Sequence, residues 1–381
     1  MKILFVGDYS NIHVTLAREL RSRGHEVTVA SSGSGCMDTA RDIDLTRKKG
    51  LFGAFAYLGR LMRFMEKAKG YDVVQIVNPG FFSLRPGKLR YFFNELKRHN
   101  RSIFLSVAGD DPVIMKGNCI DHPLPYSEMR IGAEKTPFAK RYPYYEQKWM
   151  SGPNGDYCRH VYENIDGAMS ALYEYHLLAS PYLKEKLVYT GIPIDTSTLS
   201  PEEPFEGIIK KEGEKVRIAV AVKSDYEIFK GLDRLLKIVK RVEALHPDRC
   251  EVIELRDMPY SEFSKAIADA DIVVDQLYSM SPATNGLETM ARGQVTVSGG
   301  EPLFYEFLDE SPSNQPILNL LPLMTDDDMV GKLSELILDP SLLKSMSAAG
   351  PAFVKKHNDV KIVADRYIDH WCKTLDKKGK I

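Results

Sequence analysis

The chain has 381 residues, 44% of them hydrophobic and 27% charged. That is the composition of a folded globular protein, and the length exceeds one ordinary core, so two domains are expected. The formal net charge of −1 excludes a globally basic nucleic-acid binder, yet it averages two unlike halves, with 27 Lys and Arg against 20 Asp and Glu in residues 1–190 and 24 against 32 in the remainder.

The opening MKILFVGDYS carries one lysine and a very short apolar run, so it reads as a first strand and not as a secretory leader. No apolar run reaches the roughly 18 residues that span a bilayer, so a cytoplasmic location is expected, with any membrane contact peripheral. Cys36, Cys119, Cys158, Cys250 and Cys372 are odd in number and widely spaced, without a CxxC pair. They read as reduced thiols and form neither a disulfide framework nor a metal site.

In chain order, KILFV is a continuous apolar strand, HVTLARELRSRG an amphipathic helix ended by Gly24, and HEVTVAS a second strand. Strands apolar on both faces belong to a parallel sheet covered by helices. The pattern recurs in YDVVQIVN, RSIFLSVAG, IDGAMSAL and KLVYTGIP, which predicts a doubly wound α/β domain over residues 1–195. Residues 112–160, rich in Pro, Tyr and Gly, read as a long irregular insertion, and GIPIDTSTLSPEEPFEG as an interdomain linker. The alternation restarts with VRIAVAVK, GLDRLLKIVKRVEALH, CEVIEL, YSEFSKAIADA and DIVVDQL, a second Rossmann-like domain over 196–360. A helix over 361–381 closes the chain and is expected to cross back to the first domain. Two such domains facing across a cleft suit a nucleotide-bearing substrate, because parallel sheets bind ligands at the carboxyl ends of their strands.

The first βα turn, GDYSNIH, has one glycine and lacks the GxGxxG that dinucleotide binding requires, which counts against a nicotinamide-dependent dehydrogenase. In the second domain Lys223 ends a strand and Lys230 precedes a helix, where two cations and helix N–H groups would meet a diphosphate; a solvated lysine pair is the alternative. Between strand and helix, DMPYSEF offers Met258, Tyr260 and backbone groups to a nucleobase, or is an ordinary turn. SMSPATNGLETMARG brings Thr284, Asn285 and Gly286 with their N–H groups to a helix start, and Glu288 one turn later. A carboxylate there accepts two hydrogen bonds from the vicinal hydroxyls of a ribose, or simply favours the helix dipole.

The ordered set RGHEVTVAS, Lys230-Gly231-Leu232-Asp233, ADIVVDQL and GLETMARGQVTVSGGEP resembles the GT-B glycosyltransferases, in particular the bacterial retaining enzymes that use nucleotide-activated sugars. The resemblance covers almost the whole chain and is more specific in the second domain than in the first. It implies transfer of a sugar from a nucleoside-diphosphate donor to an acceptor hydroxyl, with no separate cofactor and no metal. Members of that group usually carry two glutamates separated by seven residues; the second is matched by Glu288, and the first falls on Met280. The resemblance thus makes Glu288 the ribose ligand and leaves the sugar to backbone N–H groups, Thr284 and Asn285. In the retaining reaction the departing phosphate helps to deprotonate the acceptor. An inverting enzyme would need a base, for which His13 oriented by Asp110 or Asp111 of SVAGDDPV is the candidate; the alternatives are that His13 is a surface or packing residue and that Asp110 or Asp111 is an acceptor or sugar ligand.

Residues 41–69 place Arg47, Lys48, Lys49, Arg60, Arg63, Lys67 and Lys69 among Leu, Phe, Met and Tyr at helical spacing. This is either a basic amphipathic helix for anionic lipid, at the inner face of the cytoplasmic membrane, or a core-facing stripe with a solvated rim. On the lipid reading, a lipid-linked saccharide is the acceptor and surface polysaccharide assembly the setting. A nucleotide-sugar epimerase of the same fold and a non-catalytic nucleotide-sugar-binding relative remain the alternatives.

Overall fold

The computed structural model describes residues 1–34, 37–121, 123–150, 152–311 and 315–379, without the side chains of Tyr260 and Ser261. Cys36 lies outside these residues; Cys119, Cys158 and Cys250 are buried free thiols and Cys372 an exposed one. The chain forms two units, the first comprising Met1–Asp121, Tyr144–Pro193 and Val360–Ile381, the second His122–Pro143 and Ile194–Asp359.

In chain order the strands begin with β1 (Lys2–Val6), β2 (Glu26–Ser31), β3 (Ile43–Asp44), β4 (Val73–Ile76) and β5 (Ile103–Val107). A short hairpin of β6 (Arg130–Ile131) and β7 (Glu134–Lys135) follows, then β8 (Gly167–Ser170) and β9 (Leu187–Tyr189). The sheet of the first unit runs β3-β2-β1-β4-β5-β8-β9, and its pairings are all parallel. Ile3, Leu4, Phe5 and Val6 are wholly buried, as burial of β1 on both faces requires. The last helix, Val360–Gly379, belongs to this unit: Trp371 is fully buried and its indole N–H donates to Gln75 Oε1 at 3.2 Å.

The second unit holds β10 (Val216–Val222), β11 (Cys250–Arg256), β12 (Ile272–Val274), β13 (Val295–Val297) and β14 (Ile317–Leu318), in the parallel order β11-β10-β12-β13-β14. Helix Leu232–Leu245 covers one face with Leu232, Leu235, Ile238, Val239 and Val242, apolar at a helical period and each 0–1% exposed. Burying each is worth about 1.5–3 kcal/mol. The chain runs from β10 to β11 on one side and then to β12 on the other, so the strand order reverses between β10 and β12. The crevice beyond their carboxyl ends is where such a sheet takes a ligand.

Two segments depart from the sequence reading. Residues inside the 112–160 insertion, His122–Pro143, pack with the second unit, because Tyr126, Met129 and Phe138 are large, apolar and 2–7% exposed there. Phe138 meets the ring of Phe229 edge-on at 4.9 Å, and Ile131 joins the core beneath β10. The passage read as a linker is held to the same unit, with Ile194 N–H donating to Asn358 O at 2.8 Å and Ile208 N–H to Ser347 Oγ at 2.8 Å.

Candidate functional site

Lys230 sits on the loop between β10 and helix Leu232–Leu245, at the reversal point. Its carbonyl accepts from Leu277 N–H at 2.8 Å, which ties this loop to the one after β12. Gly231 makes that approach possible: φ is +71°, and a Cβ there would lie 2.8 Å from Leu277 Cβ and 2.9 Å from the Tyr278 ring. Held this way, Lys230 Nζ reaches Asp275 Oδ1 at 2.9 Å, and Asn285 Nδ2 donates to the same oxygen at 3.2 Å. Asp275 follows β12 directly and is fully buried, while the Lys230 side chain keeps 32% of its surface exposed. The second carboxylate oxygen, Oδ2, is buried without a hydrogen-bond partner. Leaving such a group unmet is costly, so the buried Asp275 side chain depends on Lys230 and Asn285 for its hydrogen bonds.

Helix Thr284–Ala291 starts beside this cluster. Its N-cap residue, Ala283, has no polar side chain, and Thr284 and Asn285 form the first turn. Gly286 is buried, with Pro282, Thr296 and Ser298 close around it. Glu288 is not isolated on its helix: its carboxylate pairs with Arg292 at 3.2 Å, each side chain 14% exposed. That pairing follows from the i,i+4 spacing on one helix face, a signal present in the sequence. Asp275 had no such signal, because in DIVVDQL it looks like a polar end to a buried strand.

The other candidates are spread more widely. Lys223 is exposed at the far end of the Lys230 loop, with Nζ 5.7 Å over the Tyr226 ring. Met258 packs against the small apolar cluster of Ala219, Leu255, Ile267, Ala270 and Val273. Tyr260 opens helix Tyr260–Ala268, and its side chain lies outside the described residues. Met280 is 1% exposed and turned into packing. Among the described residues no group of three or more His, Cys, Asp or Glu is placed to hold a metal ion.

In the first unit, the structure does not form the expected histidine–aspartate pair. His13 is fully buried and stacked on Phe5 at 4.5 Å. Nδ1 lies 2.6 Å from Gly7 O and is therefore the protonated nitrogen, while Nε2 accepts from the Ser106 hydroxyl at 3.1 Å. Burial lowers its pKa to about 4, so the ring is neutral at pH 7. The physical reason is that the start of helix Ile12–Ser22 is buried all round, with Ile12, His13, Val14, Thr15, Leu16 and Ala17 all out of solvent. Asp111 caps the short helix Pro112–Lys116 by accepting from Val113 and Ile114 N–H at 2.7 and 2.9 Å, and it accepts from Tyr162 OH at 2.6 Å. Asp110 accepts from Tyr145 OH at 2.5 Å. Burial raises both carboxyls above the usual range, Asp111 to about 6.

No protein-family model and no curated protein matches this sequence. Solved structures do match. Sucrose-phosphate synthase from Thermosynechococcus elongatus superposes with a TM-score of 0.61 at 11% identity, covering 99% of this chain and 100% of the other. HepE from Anabaena, in complex with UDP-glucose, gives 0.59 at 11%, covering 99% and 100%. WaaG, described as a glycosyltransferase involved in lipopolysaccharide biosynthesis, gives 0.55 at 14%, covering 96% and 98%. Against one longer structure the chain spans 59% of the other's length, with a TM-score of 0.52. At these identities the likeness is one of fold, and the fold is GT-B: two Rossmann-like α/β units in series.

Proposed function

We propose that this GT-B protein is a glycosyltransferase that moves a sugar from a nucleoside diphosphate to an acceptor hydroxyl, with retention at the anomeric carbon. The observation that carries the reading is Lys230, fixed at the strand-order reversal of the second unit beside the start of helix Thr284–Ala291. An amino group and helix N–H dipoles directed to one place are what a departing diphosphate needs as negative charge builds on it. In the reaction the bond from the anomeric carbon to the diphosphate oxygen breaks and a bond to the acceptor oxygen forms. The acceptor proton leaves with the diphosphate, so no protein base is invoked, and neither a metal ion nor another cofactor enters. Glu288 is assigned to the ribose hydroxyls, with Arg292 holding its carboxylate in one orientation. The UDP-glucose of HepE supports a nucleotide-sugar donor.

The test is a panel of UDP-, GDP- and ADP-sugars, incubated with the protein in EDTA and assayed for released diphosphate and for isomerised sugar. Slow release of diphosphate supports a metal-independent transferase. An isomer without release replaces it with an epimerase, and binding alone makes the protein a non-catalytic binder.

For the acceptor, we place the protein at an anionic membrane surface, where a lipid-linked saccharide is presented during surface glycoconjugate assembly. Helix Gly50–Lys67 buries Tyr57, Leu61, Phe64 and Met65, so part of the apolar stripe is core. Its first turns nonetheless leave Leu51, Phe52 and Phe55 at 80%, 94% and 74% exposure, next to exposed Arg47, Lys48 and Lys49. Aromatic side chains and cations presented together suit a phospholipid surface. No helix among the described residues is long and apolar enough to cross a membrane. Phe52→Ser combined with Phe55→Ser is expected to lower co-sedimentation with anionic vesicles about tenfold or more, since each ring contributes about 1.5–3 kcal/mol when fully buried. Nucleotide binding should be unchanged; unaltered co-sedimentation would remove the membrane from the reading.

A further inference from the structure

A polyol such as a hexose is held chiefly by acceptors that take its hydroxyl protons, and carboxylates are the strongest of these. At position 280, in the turn after β12, the chain offers none, since Met280 is apolar and buried, and the Asp275 carboxylate earlier in that segment is fully buried and taken by Lys230 and Asn285. The loop after β13 lies directly against that turn. Glu301 N–H donates to Met280 O at 3.2 Å. At Gly299 a Cβ would fall 2.3 Å from Ser279 O and 2.7 Å from Ser281 N, so only glycine lets the two backbones meet.

Glu301 itself is unusual. It is 8% exposed, and it precedes helix Pro302–Phe307 in the N-cap position without its side chain capping that helix. Its Oε1 instead accepts from Tyr126 OH at 2.5 Å, the one hydrogen bond to this carboxylate among the described residues. Tyr126 is 2% exposed and comes from His122–Pro143, the segment that packs with this unit although its flanks belong to the other. Farther along the same segment, Phe138 packs on Phe229, the residue before Lys230. One strap thus braces both the Lys230 loop and the Glu301 loop at the carboxyl edge of the sheet.

We propose that Glu301 binds hydroxyls of the transferred sugar, in place of any carboxylate at position 280, and that Tyr126 is a positioning residue that fixes its rotamer. This rests on the nucleotide-sugar reading above. A carboxylate with a single neighbouring donor retains acceptor capacity for a ligand, and the tyrosine leaves it one orientation.

The experiment measures calorimetric affinities of the full chain for UDP, GDP and ADP and for UDP-glucose, UDP-N-acetylglucosamine, GDP-mannose and ADP-glucose. It then repeats the best pair with Glu301→Gln and Tyr126→Phe. Both variants should weaken the nucleotide sugar about tenfold relative to the parent protein, the cost of one hydrogen bond to a charged group. The free nucleoside diphosphate should change less than about twofold on the same reasoning. Equal loss for both ligands would make Glu301 and Tyr126 structural supports only, and no loss for either would remove them from the site; each overturns the proposal while leaving the transferase reading standing. Failure of the parent protein to bind any member of the panel would overturn that reading, and this proposal with it.

Discussion

Lys230→Ala is expected to lower turnover of the nucleotide sugar by about 10²–10³-fold, the cost of removing one preorganised donor from a developing oxyanion. The same substitution should also destabilise the protein. Asp275 is fully buried and already has one oxygen without a partner, so losing the amino group at 2.9 Å leaves Asn285 as its only donor among the described residues. Breaking a buried ion pair from one side costs about 3–5 kcal/mol. Lys230 keeps 32% of its surface exposed, and solvent screening reduces the figure to about 1–3 kcal/mol. Adding Asp275→Asn removes the stranded charge, so the double variant should recover most of the stability and none of the turnover. Steady-state kinetics and urea melts on the three proteins check both statements. Near-normal turnover in either variant would end the assignment of Lys230 to the leaving group.

The second large effect concerns pH. His13 has an ordinary pKa of 6.5 and a folded value of about 4, because burial penalises its charged form. Its neutral ring therefore supports the fold fully above pH 6.5, and that support is lost as pH falls toward 4, by about 3 kcal/mol. Asp111 runs the other way. Burial raises its carboxyl from 3.8 to about 6 despite three hydrogen bonds that favour the anion. Its contribution is fully present below pH 3.8 and is lost as pH rises through 6, again by about 3 kcal/mol. The two slopes oppose one another across pH 4–6, and single variants should separate them. Relative to the parent, His13→Gln should gain stability on going from pH 7 to pH 4, whereas Asp111→Asn should lose it over the same interval. Lost hydrogen bonds displace each curve without tilting it. Denaturant midpoints at pH 4, 5, 6 and 7 provide the measurement, and flat difference curves would show that neither group titrates abnormally in the folded protein.

Much of the architecture was legible in the sequence for local reasons. Runs such as the ILFV of β1 and the IAVAV of β10 are apolar at every position, which only a sheet buried on both faces accepts, and the 3.6-residue period of LDRLLKIVKRVEAL identifies the helix that covers one of them. Lys230 was legible too, as a cation between a strand and a helix, and so was the apolar and basic character of residues 50–67. The i,i+4 pairing of Glu288 with Arg292 was available from spacing and was missed.

Tertiary structure decided the rest. Lys230 and Asp275 are 45 residues apart, and Tyr126 and Glu301 175 apart. Neither pairing leaves a periodic trace in the chain, because it depends on which strands become neighbours and which loops those strands bring to one edge. His13 shows the converse: the first turn of a helix suggested an accessible base, but packing buried the ring against Phe5, with its nitrogens bonded to Gly7 and Ser106 and not to Asp110 or Asp111. Sequence determines which segments must be buried, since hydrophobic period is a property of neighbouring residues. Which polar groups are buried together, and so which charges need partners or ligands, is set by packing between segments far apart in the chain.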